Sequence, residues 1–171
     1  MPAITLRVAT GESAAARSNT VLTLDSLITL VQGVARQPDL WRPGVHFSSK
    51  SRHSTRLHRD DQVDMWLMAW LPGSAPDPHD HGAAIEVFTV VEGELLEERI
   101  DRDGQLLASR LTSSVIRPIA PRLAHDVRNA SDVPAISIHA AAVPVPAMRR
   151  VVPAVSWPRP GAASLPRLRT A

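Results

Sequence analysis

The stretch that organises the chain runs from Gly73 to Gly93 and reads GSAPDPHDHGAAIEVFTVVEG. It contains a His-x-His pair, His79 and His81, and Glu86 follows five residues after the second histidine. Residues two apart on an extended strand point to the same side, so both imidazoles can reach one metal ion. Imidazole nitrogen and carboxylate oxygen together suit iron, manganese, zinc or nickel. The stretch therefore predicts a metal site in which Glu86 is a possible fourth ligand.

Short extended segments separated by turns surround this stretch. A polar but β-compatible run predicts a strand at residues 52–59, and further strands are predicted at 63–71, 86–91, 94–100, 105–111, 113–116, 124–128 and 135–142. Before them, one helix is predicted by the helical spacing of four apolar residues, Leu27, Leu30, Val31 and Val34. Thr23 or Asp25 is suited to cap this helix, and Gln37-Pro38 ends it. Seven or more short strands after a helix predict an all-β sandwich or barrel.

The composition predicts one folded domain with two tails. The 171-residue chain is 44% hydrophobic, which suits a single core. We expect a leader at 1–20, the barrel domain at 21–143, and a tail at 144–171 that holds six prolines and five arginines.

Charge and residue usage exclude several classes of function. The net charge is +2, and the 18 arginines are scattered among the acids, so the sequence predicts no nucleic-acid partner. There is no cysteine, which excludes disulfides and thiolate ligands. No apolar run of about 18 residues exists and the N-terminus lacks a secretory pattern, so we expect a cytoplasmic protein that is not inserted in a membrane. A monomer or a homodimer is expected.

A metal usually needs at least one ligand beyond the His-x-His pair, and His125 is the candidate. It lies on a predicted strand far downstream, which antiparallel pairing in a small barrel could bring across the cavity. His139 alternates with Ser137 on another strand, where the two can form a polar pair beside the metal. Trp70, at the end of an apolar strand, is a candidate for the pocket mouth.

These segments resemble a known superfamily. The pattern Gly-x5-His-x-His-x4-Glu-x6-Gly, from Gly73 to Gly93, matches the first motif of the cupins at every spacing, and His125-x3-Asn129 is similar to the end of the second. Over roughly residues 23 to 142 the chain most resembles the bacterial cysteine dioxygenase family of thiol dioxygenases. Five stretches carry this resemblance: 55–59, 66–73, 79–82, 90–95 and 125–129.

The resemblance implies a small double-stranded β-helix, or jelly-roll barrel, with one or two N-terminal helices. It implies Fe(II) held by three histidines, here His79, His81 and His125, with manganese, nickel and zinc as alternatives. The implied reaction adds O2 to the sulfur of a small thiol carboxylate and gives a sulfinate. It also implies that an arginine anchors the substrate carboxylate; Arg56 matches this arginine best, and Arg52 or Arg59 could substitute. Finally, it implies a Ser-His-Tyr relay at Ser137, His139 and position 141.

Two positions depart from the family pattern. Ala141 stands where the relay has its tyrosine, and Glu86 stands where many members have a cysteine or glycine. If Glu86 binds iron, a six-coordinate ion keeps only about two open positions, too few for a chelating aminothiol and oxygen together. Glu86 could then act as a base on a monodentate substrate. Two alternatives follow: a three-His, one-Glu cupin that oxidises or isomerises a non-thiol metabolite, and a non-catalytic cupin that binds a small molecule.

Overall fold

The structure of the protein, a computed structural model, describes residues 22–49, 52–101 and 103–143 together with the backbone of 149–150. The leader expected at 1–20 and nearly all of the tail expected at 144–171 lie outside these residues, so both stay predictions. None of the helices in the described part of the chain is long and apolar enough to cross a membrane.

The helix predicted near the N-terminus is confirmed. Helix α1 spans Leu24–Ala35 and begins at Thr23, whose side chain accepts a hydrogen bond from the backbone N–H of Ser26 at 3.2 Å. This contact satisfies one of the N–H groups that the first helical turn leaves unpaired. A one-turn helix, α2, follows at Pro38–Trp41, and a 3-10 turn at Arg42–Gly44 leads into the sheets.

Ten strands in the described residues form two antiparallel sheets. In chain order they are β1 His53–Arg59, β2 Val63–Trp70, β3 His79–Asp80, β4 Glu86–Glu92, β5 Glu94–Ile100, β6 Leu106–Thr112, β7 Ile116–Ile119, β8 His125–Arg128, β9 Ala135–Ala142 and β10 Arg149–Arg150. One sheet has the order β1-β2-β9-β4-β7 and the other the order β10-β3-β8-β5-β6. The all-β prediction with one or two N-terminal helices is therefore confirmed.

Two apolar clusters lie on opposite faces of the first sheet. Leu27, Val31 and Val34 of α1 are buried in one cluster with residues of β2, β4 and β9, and the helix packs on β4 and β9, so it covers the outer face. Each such side chain contributes about 1.5–3 kcal/mol relative to an exposed one. The second cluster fills the space between the sheets and consists of Trp70, Phe88, Val90, Leu95, Leu111, Ile119, Val127 and Ala135.

The tight turn between β4 and β5 depends on Gly93. Its φ angle is +71°, and a Cβ atom there would lie 2.5 Å from the carbonyl oxygen of Pro134. A side chain would therefore be strained by its backbone conformation and would also collide with a rigid neighbour. This explains why the organising stretch ends in a glycine.

The strand predicted at 113–116 is shifted. The chain turns at Ser114, which has a φ angle of +76°, and β7 begins only at Ile116. Ser113 retains a single isolated bridge to Val90. A residue with a left-handed backbone conformation interrupts a strand, and the apolar residues Val115 and Ile116 did not indicate this conformation at Ser114.

Candidate metal centre

Three buried histidines meet in the cavity between the two sheets. His79 lies on β3, His81 follows that strand, and His125 begins β8, where it is the direct partner of His79 in the antiparallel pairing. One ring nitrogen of each lies within 4.8 Å of those of the other two, and Nε2 of His81 is 3.1 Å from Nε2 of His125. The pairing of β3 with β8 thus brings together residues more than forty positions apart.

Each of these rings is held by an acceptor at its Nδ1 atom. Nδ1 of His79 lies 2.9 Å from the carbonyl oxygen of Asp77. Nδ1 of His81 lies 2.7 Å from Oε2 of Glu86, and Nδ1 of His125 lies 3.0 Å from Oε1 of Glu97. An acceptor at Nδ1 keeps the proton there, so the lone pair of each ring is on Nε2.

This donor set fits a metal ion. Two unprotonated Nε2 atoms at 3.1 Å present lone pairs to each other, an arrangement that is unfavourable unless a cation lies between them. Two nitrogens each about 2.1 Å from one ion at a right angle are about 3 Å apart, which matches this separation. Carboxylate or carbonyl partners at the second nitrogen are the usual support of a metal-binding histidine.

Glu86 lies outside this group of converging nitrogens. Its Oε2 atom accepts from Nδ1 of His81, and its Oε1 atom lies 2.8 Å from Nδ1 of His139. Both oxygens of the carboxylate are therefore engaged with ring nitrogens that point away from the metal position. Glu86, which the sequence suggested as a possible fourth ligand, thus contacts two histidine rings at their Nδ1 atoms and is not one of the three residues whose ligand atoms converge.

Ser137 and His139 form the polar pair that their alternation on β9 predicted. Oγ of Ser137 lies 2.8 Å from Nε2 of His139, and the Trp70 indole donates to the same hydroxyl at 2.9 Å. Phe88 stacks on the His139 ring at 4.7 Å with an interplanar angle of 7°. Trp70 is fully buried, so it forms part of the cavity wall.

The electrostatics of the cavity keep Glu86 ionised and His139 neutral. Burial alone would raise the pKa of Glu86, but hydrogen bonds from His139 and His81 outweigh it and hold that pKa well below the usual range. Burial lowers the pKa of His139, and the hydrogen bond to Glu86 only partly opposes this. Both oxygens of the Glu86 carboxylate thus accept hydrogen bonds.

The two histidines of the His-x-His pair differ in their affinity for protons. Burial lowers the pKa of His79 to about 4, so this ring is neutral and ready to bind at ordinary pH. For His81, burial also acts to lower the pKa, but the Glu86 hydrogen bond more than compensates and the net shift is upward. Of these two rings, His81 is therefore the one at which protons compete more strongly with a metal.

The arginine predicted for substrate binding pairs with an acidic side chain. Arg56 pairs with Asp64, with Nε 3.1 Å from Oδ1, and lies over the Trp66 ring; 44% of its side-chain surface is exposed. Of the arginines considered for this role, Arg52 is the one beside the cavity wall. Its guanidinium carbon lies 5.4 Å from the centroid of the Trp70 ring.

The positive charge of Arg52 affects the pKa values of several groups in the site. Burial is the largest cause that lowers the pKa of His79, His81 and His139, and the charge of Arg52 acts in the same direction on all three, although Glu86 raises the pKa of His81 overall. Burial in turn lowers the pKa of Arg52, and the Glu86 carboxylate raises it again in part. The sequence suggested Arg52 only as a substitute for Arg56 in binding the substrate carboxylate. It could not rank the two, because the depth of each side chain depends on how β1 pairs with β2.

Glu97 was missed by sequence reasoning. Besides holding His125, its carboxylate pairs with Arg117, whose Nε lies 2.5 Å from Oε2, and with Arg99 at 3.4 Å. The available signal was its alternation with the apolar Leu95 on β5, which places a carboxylate on a core-facing side. The site therefore contains two buried carboxylates, one behind each of two histidines.

Comparison with known proteins identifies the family. The chain matches the family described as cysteine dioxygenase type I over residues 18–152. It belongs to that family. No curated protein sequence matches the chain significantly. The expected membership in the cysteine dioxygenase family is thereby confirmed, and together with the three-histidine group it makes the protein a metal cupin.

Solved structures confirm the cupin fold of this cysteine dioxygenase family member. A protein from Thermus thermophilus is similar at 21% identity and a TM-score of 0.53, over 59% of this chain and 91% of that one. A double-stranded β-helix protein from Klebsiella pneumoniae is similar at 18% identity and a TM-score of 0.53, over 59% and 84%. An oxalate oxidase is similar at 20% identity and a TM-score of 0.52, over 59% and 55%. At these identities the likeness concerns the fold.

Proposed function

We propose that the protein is a mononuclear non-haem iron dioxygenase that acts on a small thiol carboxylate. The proposed reaction converts a thiol and one O2 into the sulfinic acid, with both oxygen atoms added to sulfur. The observation that carries the proposal is the convergence of three histidines, each fixed at Nδ1 so that Nε2 is free to bind. Membership in the cysteine dioxygenase type I family supplies the reaction class.

The contacts of Glu86 favour this reaction over one that uses a fourth protein ligand. With both carboxylate oxygens engaged by His81 and His139, a six-coordinate ion bound by three histidines keeps about three positions for substrate and O2. Iron would supply the binding positions and the electrons that make O2 reactive toward sulfur. The same contacts leave Glu86 no free oxygen to act as a base, which weakens the non-thiol alternative.

We assign the substrate carboxylate to Arg52 instead of Arg56. A guanidinium binds a carboxylate through two parallel N–H donors, and a buried guanidinium binds it more tightly than an exposed one. Arg52 is half-buried over the wall residue Trp70, and its charge acts on His79, whereas Arg56 is exposed and pairs with Asp64, a carboxylate that it shares with Arg59. We therefore infer that the carboxylate of the substrate pairs with Arg52 while its sulfur faces the three histidines.

The walls of the cavity exclude water from the reacting atoms. Trp70 and Phe88 are fully buried and contact the relay residues from two sides. The Ser137 hydroxyl and the His139 ring form a buried polar pair against these walls, in which Ser137 and Glu86 engage the two ring nitrogens. A dry cavity also strengthens the attraction between Arg52 and a carboxylate.

Oxygen consumption by the iron-loaded protein tests this function. The substrates are cysteine and 3-mercaptopropionate, with cysteamine as the matched thiol that lacks a carboxylate. We expect thiol-dependent O2 uptake with a carboxylate thiol and at least tenfold weaker uptake with cysteamine. Absence of uptake with every thiol, in protein shown to contain stoichiometric iron, would rule out the proposal.

A further inference from the structure

We propose that Glu86 is a positioning residue that fixes the ring protons of His81 and His139 together, and so joins the metal site to the serine–histidine pair. It rests on the proposed function only in treating the serine–histidine pair as part of a reaction site. The hydrogen-bond arrangement itself rests on the contacts around Glu86, which link one sheet to the other: Glu86 and His139 lie on β4 and β9, and His81 follows β3.

The direction of the hydrogen bonds can be followed from Glu86. An ionised carboxylate has no hydrogen to donate, so Nδ1 of His139, which lies 2.8 Å from Oε1 of Glu86, carries the proton of the ring and donates it. A neutral ring has no second proton, so Nε2 of His139 accepts from Oγ of Ser137 at 2.8 Å. The same hydroxyl accepts from the Trp70 indole N–H, which can only donate, at 2.9 Å.

The Glu86 carboxylate also accepts a hydrogen bond from His81, one of the three proposed metal ligands. A metal at Nε2 of His81 requires the proton of that ring to be on Nδ1, and this atom lies 2.7 Å from Oε2 of Glu86. Glu86 consequently receives one proton donor from each sheet. An ionised carboxylate can accept both bonds, because it has two oxygens and no hydrogen of its own.

Packing leaves these groups little freedom to rearrange. Phe88, the direct partner of His139 across the β4–β9 pairing, lies flat against its ring and limits its rotation. Glu86 is paired with Ala141 in the same register, and the small methyl group there occupies little of the space beside the carboxylate. The position of Glu86 therefore selects the tautomers, since the rings cannot turn to find other partners.

A glutamine at position 86 should reverse the tautomer of His139. Its amide has one accepting oxygen and one donating NH2 group. With metal on His81, the oxygen must accept from Nδ1 of His81, so the NH2 group faces His139. The His139 ring must then release the Nδ1 proton and carry it on Nε2, where it donates to Ser137.

Histidine nitrogen NMR on the zinc-loaded full chain tests the proposal, with Zn(II) as a diamagnetic metal probe. Long-range proton–nitrogen correlations of imidazole distinguish an Nδ1–H from an Nε2–H tautomer. We expect His139 to be Nδ1–H in the unmodified protein and Nε2–H in Glu86→Gln. An Nε2–H ring in the unmodified protein, or an unaltered Nδ1–H ring in Glu86→Gln, would overturn the proposal.

Two further variants separate this role from a general effect of removing a buried group. Glu97→Gln removes the carboxylate behind His125, and we expect the His139 tautomer to stay Nδ1–H; a switch there would contradict a specific role for Glu86. Ser137→Ala keeps Glu86 and should also leave His139 as Nδ1–H, so an Nε2–H ring in that variant would overturn the proposal even if Glu86→Gln did not fold.

The measurement involves neither thiol nor O2. A failure of thiol oxidation would therefore leave the tautomer result standing, and an unchanged tautomer would leave the proposed reaction standing.

Discussion

Glu86 on β4 lies directly across from Ala141 on β9, on the interior side that they share with His139. Position 141 is where the resemblance placed the tyrosine of the family relay. A phenol there and a carboxylate at 86 would compete for the same space and the same ring nitrogen. The two departures from the family pattern are therefore one structural change, in which Glu86 provides His139 with its second hydrogen-bond partner.

The first prediction concerns this pair. Ala141→Tyr should destabilise the protein by about 1–3 kcal/mol because it overfills a buried site. Combined with Glu86→Ala, which makes room, the loss should be smaller than the sum of the two single changes by about 1 kcal/mol or more. Urea unfolding of the four proteins measures this coupling. Strict additivity would show that the positions are independent, and Glu94→Ala on the other sheet is the control expected to be additive.

The second prediction separates the two candidate arginines. Arg52→Met should raise the KM for the carboxylate thiol about 10- to 100-fold, because a charged hydrogen bond is worth about 1.5–3 kcal/mol. Arg56→Met, which changes an arginine already paired with Asp64, should alter KM less than about threefold. Steady-state O2 uptake provides both values. If Arg56→Met has the larger effect, the carboxylate binds at the mouth of the barrel and the assignment of Arg52 is wrong.

The third prediction concerns the support of His125. Glu97→Gln should weaken metal binding roughly 10- to 100-fold, since it removes the carboxylate that orients the ligand. It should also lower stability, because Arg117 and Arg99 lose their shared partner. Competition with a metal-binding dye measures the affinity. Glu94→Gln is the matched control: its ion pair with Arg110 is solvent-exposed and should contribute less than about 1 kcal/mol.

The fourth prediction compares two glycines with similar backbone angles. Gly93 and Gly104 have φ angles of +71° and +77°, but only at Gly93 would a Cβ atom meet neighbouring backbone. Gly104→Ala should cost about 1–2 kcal/mol for the left-handed conformation alone. Gly93→Ala should cost clearly more, because the turn between β4 and β5 must move away from Pro134. Thermal unfolding of both variants measures the difference, and equal losses would contradict it.

Much of the fold was predictable because local patterns determine it. The helical spacing from Leu27 to Val34 and the alternating strands indicated the class, and the spacing of His79 and His81 with the distant His125 located the metal site. Ser114 shifted one strand because a left-handed backbone leaves no hydrophobic signal.

The supporting groups of the site were harder to predict because they depend on register. Glu86 had the right spacing for a ligand, but only the pairing of β4 with β9 shows that its carboxylate meets His139. Asp80 and Asp126 are also buried, with only 8% and 6% of their surface exposed. Asp80 accepts from the backbone of Gly82 and Asp126 pairs with Arg128, contacts that strand alternation alone does not indicate.

The central claim is that a three-histidine iron site adds dioxygen to a thiol, and isotope-labelled O2 tests it most directly. Iron-loaded protein is incubated with the carboxylate thiol under fully labelled dioxygen, and the sulfinate is analysed by mass spectrometry, with His125→Ala as the control. The account predicts a sulfinate in which both oxygen atoms carry the label, formed by the unmodified protein and not by His125→Ala. A product with one or no labelled oxygen, or equal formation by His125→Ala, would contradict it.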